Sequence, residues 1–244
     1  MEKAVTRLAK APLPAPAWTY WCPEQGDGVE FGALQSDRDA GLKTHFHNET
    51  QITFVISGVR SFLVREKQIT LIPGQSIVFP AGLPHQALPV ETPRTVCLNT
   101  YLPAGGYAAA PVVAQLERLW DRRGLLPPDG VLEMLRAYWR QSEAAGSLAK
   151  APVSSTDQAP CLRQRALRAK LSREGFSRRF SQDFGMPPHA YGLISRLNAA
   201  RRLLRTSVDD LARIAAETGF ADQSHMGRLF RRTFGITPGR YRER

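Results

Sequence analysis

Lysine is almost missing from the last ninety residues of this chain. Residues 155–244 carry 18 Lys+Arg against 8 Asp+Glu, and Lys170 is the only lysine there. Long apolar runs are missing too. No stretch approaches the roughly 18 residues that would cross a bilayer, so no membrane partner is expected. Cysteine is scarce: the three (Cys22, Cys97, Cys161) are far apart and odd in number. They make neither a metal-type pair nor a disulfide framework, and a reducing cytoplasm is the expected setting. Met1–Trp18 holds Lys and Arg but no apolar run after them. Its Ala/Pro mixture reads as a flexible arm, not a signal peptide. The balance of the 244 residues, 43% hydrophobic and 23% charged, excludes a disordered or fibrous chain.

The net charge of +11 is uneven: residues 1–154 hold 15 Lys+Arg and 14 Asp+Glu, so the excess sits almost wholly in the arginine-rich end. Arginine binds phosphate bidentately and pairs with guanine edges, which points to a nucleic-acid partner.

Short runs in the first hundred residues read as strands: Ile52–Ile56, Ser61–Val64, Ile69–Leu71 and Ser76–Phe79. Gly58, Pro73–Gly74 and Pro80–Gly82 punctuate them, as in a sandwich or barrel. From Pro111 the pattern turns helical. Val113, Leu116 and Trp120 form one stripe and Leu132, Leu135 and Trp139 another, with Pro127–Pro128 between. Ala144–Ala159 is rich in Ala, Ser and Pro and reads as a linker.

The basic end contains a repeat. Ser172–Tyr191 lies on Asp222–Tyr241 at a constant offset of 50, with six identities: Arg178/Arg228, Phe180/Phe230, Phe184/Phe234, Gly185/Gly235, Pro188/Pro238 and Tyr191/Tyr241. Phe176, Phe180 and Phe184 make a buried stripe on a short helix, as do Met226, Phe230 and Phe234. Ser172 and Asp222 are N-caps, and Gly185 and Gly235 end the helices. The outer faces carry Arg173, Glu174, Ser177, Arg178, Ser181 and Gln182 in one copy. In the other they carry Gln223, Ser224, His225, Gly227, Arg228, Arg231 and Arg232. These are phosphate-binding and groove-reading types. Before the second copy, Val208, Leu211, Ala212 and Ala215 mark a helix, and Thr218–Gly219–Phe220 a tight turn. Helix, Gly turn and basic helix make a helix-turn-helix. Between the copies, Tyr191–Arg205 is an amphipathic helix. Leu193, Leu197, Ala200 and Leu204 face the core, and Arg201, Arg202 and Arg205 face outward.

Val208–Tyr241, with LARIAAETGF, ADQSH and LFRRTFGITPGRYR, resembles the signature of the AraC/XylS family of bacterial transcription regulators. Phe176–Leu204 resembles that family's first unit and its connecting helix. The resemblance implies two helix-turn-helix units that enter successive major grooves on one face of double-stranded DNA. It departs at Cys161–Lys170, where arginines replace apolar residues and Lys170 stands at a common glycine position. The first unit is therefore expected to be shorter, looser or less sequence-specific.

Two further motifs resemble those of cupins: Gly41-Leu-Lys-Thr-His45-Phe-His47-Asn-Glu49-Thr-Gln51, and Gly74 to His85 with Pro80 and Gly82. The first has a shorter Gly-to-His gap than is usual. Histidines two apart on a strand share a face, and a third from a neighbour would complete three imidazoles around a divalent transition metal. At the position where the family carries a Glu ligand stands Gln51; Glu49 shares its face and is an alternative ligand. Three readings stay open for His45, His47 and His85: metal ligands, an organic-effector site with or without metal, or hydrogen bonding inside a barrel. The missing carboxylate weighs against catalysis.

The fold expected is α+β multidomain. A cupin-like β-barrel (21–105) follows an arm (1–20). A helical packing or dimerisation hairpin (106–143) and a linker (144–159) lead to an all-α domain with two helix-turn-helix units (160–244). The function expected is not enzymatic. It is a sequence-specific DNA-binding regulator controlled by a small-molecule or metal effector, with RNA polymerase and a second copy as further partners. The alternatives are a cupin-type metalloenzyme with an accessory DNA-binding domain, and an architectural protein that binds DNA without sequence preference.

Overall fold

A computed structural model describes residues 17–22, 28–37, 41–90, 92–103, 109–123 and 172–243. Eight strands come first: β1 (Ala17–Trp21), β2 (Glu30–Ser36), β3 (Thr50–Ser57), β4 (Arg60–Val64), β5 (Lys67–Leu71), β6 (Ser76–Phe79), β7 (Gln86–Ala87) and β8 (Thr95–Leu102). Among the described residues six helices follow: α1 (Ala109–Arg123), α2 (Arg173–Phe184), α3 (Pro188–Thr206), α4 (Leu211–Glu217), α5 (Gln223–Phe234) and α6 (Pro238–Arg242).

The strands form a five-stranded sheet, β1-β2-β8-β3-β6, and a three-stranded one, β5-β4-β7. The two are not closed into a barrel, which corrects the expectation. Proline has no N–H to give a ladder, and Pro73, Pro80, Pro84 and Pro89 stand in the connections between β5 and β8. Near this junction, a lone bridge joins His45 and His85. Strand β8 is buried along its whole length. One of its faces meets the small sheet through Leu34, Val55, Phe62, Phe79 and Cys97. The other packs with Ile52, Phe54, Leu98 and Leu102 under Val112 and Leu116 of α1. The period of two in β3 and β8 therefore serves two layers at once.

Residues 17–20, assigned to the arm in the sequence, belong to β1, which pairs antiparallel with β2. The second helix of the hairpin, the linker and Cys161–Lys170 lie outside the described residues.

The basic end folds as the repeat requires. Ser172 caps α2 by accepting from the Gly175 amide at 3.1 Å, and Asp222 caps α5 by accepting from the His225 amide at 2.7 Å. Gly185 and Gly235 end these helices at φ 72° and 78°, in the left-handed region that favours glycine. Pro188 and Pro238 then open α3 and α6, where a missing N–H costs nothing. Two stripes depart from the sequence reading. On α2 only Phe180 is fully buried, while Phe176 is half-buried and Phe184 is 39% exposed. In α4 the buried residues are Ile214 and Ala215, while Ala212 is exposed and Val208, before the helix, is fully exposed. The helix begins at Leu211, after its cap Asp210, so the period counted from Val208 starts one turn too early.

Candidate functional site

His45, His47 and His85 come together in the cupin-like half, and their candidate ligand atoms lie within 4.8 Å of one another. All three rings are buried. Burial pushes the His45 imidazole down to about 4, against the pull of its bond to Lys43. Burial is also the main cause that holds His47 and His85 well below the ordinary range, with neighbouring charges adding to it. Neutral imidazoles are what a metal requires.

Their hydrogen bonds differ. The ring Nδ1 of His45 lies 2.7 Å from the Lys43 carbonyl, and that of His85 lies 3.0 Å from the Leu83 carbonyl. A carbonyl can only accept, so both rings carry the proton on Nδ1 and leave Nε2 bare. The Nε2 atoms of His47 and His85 are buried without a hydrogen-bond partner. Gln51 donates from Nε2 to Thr53 at 2.9 Å and to Asn99 at 3.4 Å, while its carbonyl oxygen is buried without a partner. Gln51, His45 and His85 line a small cavity with Trp18, Arg60 and Asn99, with room for about one water or one ion.

Glu49 does not join the histidines. Its carboxylate accepts from Arg201 at 3.0 Å and from Arg205 at 3.3 Å. Arg201 is the largest departure from the sequence reading: it faces inward and is 2% exposed. Its Nη2 donates to Glu30 at 2.6 Å, its Nη1 to Glu49 and to Nδ1 of His47 at 3.1 Å, and its Nε to the Tyr241 hydroxyl at 3.0 Å. The guanidinium also stacks over Tyr101, 4.6 Å from the ring centre. Burial opposes its charge, but Glu30, Tyr241 and Glu49 outweigh this and hold its pKa well above the ordinary value. A helical period cannot show this. The two acids that pay for burying the cation lie more than 150 residues away in β2 and at the entry to β3.

Arg201 is the centre of a broad contact between the two halves. Tyr20 donates to the Phe234 carbonyl at 2.9 Å, and Asn198 donates to the Phe46 carbonyl at 2.9 Å. Phe46 stacks on Tyr191 at 4.7 Å. The Phe234 ring stands 5.7 Å from His47 and 6.2 Å from His45.

The residues assigned to DNA lie mostly at the surface. Arg173, Glu174, Arg178 and Gln182 on α2 are exposed, and Ser177 is half-buried. Gln223, Ser224, Arg228, Arg231 and Arg232 on α5 are exposed too. His225 is half-buried, with its ring edge-on to Phe220 at 5.8 Å. On α2, Arg179 pairs with Asp183 at 3.2 Å. Among the described residues, no ion pair engages Arg228, Arg231 or Arg232.

Comparison with known proteins agrees with this division. Residues 165–244 match the model of a helix-turn-helix domain, and residues 37–97 match that of a cupin domain. The chain is 27% identical over 179 residues to the HTH-type transcriptional regulator MtrA of Neisseria gonorrhoeae, covering 65% of this chain and 59% of that protein. It is 42% identical over 76 residues to the HTH-type transcriptional activator RhaS of Escherichia fergusonii, covering 31% of this chain and 27% of that one. The chain thus spans less than two thirds of either relative. Among solved structures, ToxT of Vibrio cholerae with an unsaturated fatty acid bound superposes with a TM-score of 0.52 at 10% identity. That match covers 88% of this chain and 94% of the other, and shows a shared fold. Among the described residues, no helix is long and apolar enough to cross a membrane.

Proposed function

We propose that the chain is a transcription regulator of the AraC/XylS type, as its helix-turn-helix and cupin matches and its named relatives support, and that it binds specific double-stranded DNA sequences under the control of an effector held by His45, His47 and His85. One observation carries this reading. The helix that joins the two recognition units sends Arg201 into the effector domain, and that side chain bonds an imidazole of the cluster. Whatever fills the histidine site therefore acts directly on the element that sets the spacing of α2 and α5. A ligand that prefers one arrangement of the halves shifts the population able to span two major grooves.

The size of the cavity favours an ion as the effector. A fatty acid is bound in one ToxT structure, but the space here takes about one water. The three histidines are the ligand types that a divalent transition metal selects, and two of them, His45 and His85, line that cavity with Gln51. The metal would supply a fixed double charge beside the domain contact, not a reaction. A cupin-type metalloenzyme is not favoured, because Gln51 stands where the carboxylate ligand would be and the relatives are named as regulators. The expected setting is the cytoplasm. RNA polymerase and a second copy of the chain are further partners in this reading, the copy meeting the packing or dimerisation segment 106–143, of which only 109–123 are described.

Two measurements test the reading. The first is the metal content of protein purified without added metal or chelator. About one equivalent per chain, lost in His45→Ala, is expected. No metal would turn the search to organic effectors. The second is affinity for a DNA sequence selected from a random pool, against random DNA at matched salt. Equal affinities would make the protein architectural.

A further inference from the structure

One ring cannot serve both the metal and Arg201. A guanidinium has donors only. At the 3.1 Å contact, Nη1 of Arg201 therefore donates and Nδ1 of His47 accepts. A neutral imidazole has one proton and one lone pair. With the Nδ1 lone pair committed, the proton sits on Nε2, and neither nitrogen of His47 can hold a cation. His45 and His85 are in the opposite state, bare at Nε2 and anchored to carbonyls through Nδ1. That is how metal-ligating histidines are ordinarily held, with the second N–H given to an oxygen. His47 faces a donor instead. A metal would also bring its charge next to a buried guanidinium that solvent screens poorly.

We infer that a divalent metal and Arg201 compete for His47, so that filling the three-histidine site displaces Arg201 and loosens α3 from the effector domain. The inference rests on the metal reading above and adds its regulation. It makes His47 the coupling residue, since a change of partner on one ring exchanges the docked arrangement for the metal-bound one. Glu30 and Glu49 set the balance, because they hold Arg201 in the docked position.

The test is zinc titration of the full chain against a competing chelator, read by two-bond ¹⁵N–¹H spectra of the histidine rings and by amide hydrogen exchange. Without zinc, His47 is expected to carry its proton on Nε2, and His45 and His85 on Nδ1. Zinc should move the His47 proton to Nδ1 and raise exchange along α3. Arg201→Met should bind zinc roughly ten-fold more tightly than the parent, or better. Should that variant fail to fold with two carboxylates left unpaired, the triple change R201M/E30Q/E49Q removes the cluster as a unit and carries the same measurement. Equal zinc affinities with the His47 proton unmoved would overturn the inference and leave the metal site standing. No zinc in the parent or in either variant would overturn both.

Discussion

Tyr191 and Tyr241 occupy the same place in the two repeats, and each meets the phenylalanine of its own unit edge-on, at 5.5 Å from Phe180 and 5.4 Å from Phe230. Inside the units the caps and this edge-on pair match, but Phe184 is exposed where Phe234 is buried. Toward the cupin-like domain they diverge further. Tyr191 stacks on Phe46, an apolar contact one residue from each of two histidines. Tyr241 accepts a hydrogen bond from Arg201, and its helix partner Phe234 lies against His45 and His47. The first unit touches the cupin-like domain; the second is bonded to it through a charge. The duplication supplied one scaffold twice, and only one copy carries the electrostatic link. The outer faces differ as well. The α2 segment carries Glu174 and Asp183 beside its arginines, whereas α5 has three arginines and no acid.

The largest test of this asymmetry is Arg201→Ala. It strands Glu30 and Glu49, and loss of one partner of a buried ion pair costs about 3–5 kcal/mol. Urea unfolding should show a loss of that order. Hydrogen exchange should rise more around Phe234 and Tyr241 than around Tyr191. Equal rises would mean that the two units are held alike.

The end-cap glycines come next. A Cβ on Gly235 would run into the Trp18 ring, while one on Gly185 would meet only Pro84 at 3.6 Å, an ordinary contact. Both are at positive φ, so alanine strains each by about 1–2 kcal/mol. Overpacking adds roughly 1–3 kcal/mol at Gly235 alone. Thermal unfolding of Gly185→Ala and Gly235→Ala should show that gap, and Trp18→Ala should close it.

The smallest expected effect concerns DNA. Arg228→Ala should weaken binding to a selected site about ten-fold, with Arg178→Ala costing less because acids already dilute the field of α2. Each change should lower the salt dependence by about one phosphate contact. Titrations at several salt concentrations read both. A larger loss at Arg178 would reverse the ranking of the units.

Much of this was legible in the chain because it rests on local rules. Caps, left-handed glycines and prolines after helices announce themselves within a few residues, so both repeat units and their ends could be placed. The run Ser76–Phe79 was found as a strand for the same reason. The His-x-His pair was found by its spacing, though His45 and His47 precede β3 and only His45 makes a bridge, to His85. Strands β1, β2 and β8 were not singled out. β8, buried on both faces, shows no alternation to read. Arg201 was misplaced because helical period sorts charged residues outward by default. Only partners from distant strands can reverse that, and pairing at such separation leaves no mark on the local pattern. Glu49 was misassigned for the matching reason: it shares a face with the ligand positions on paper, but Arg201 and Arg205 claim it.

The multiple bonding of Arg201 also bears on time. A guanidinium with every nitrogen engaged cannot shift by one bond and remain satisfied, so Arg201 lets go of its partners together and its contact opens as a single step. Under the coupling proposed above, any response routed through that contact waits for the step.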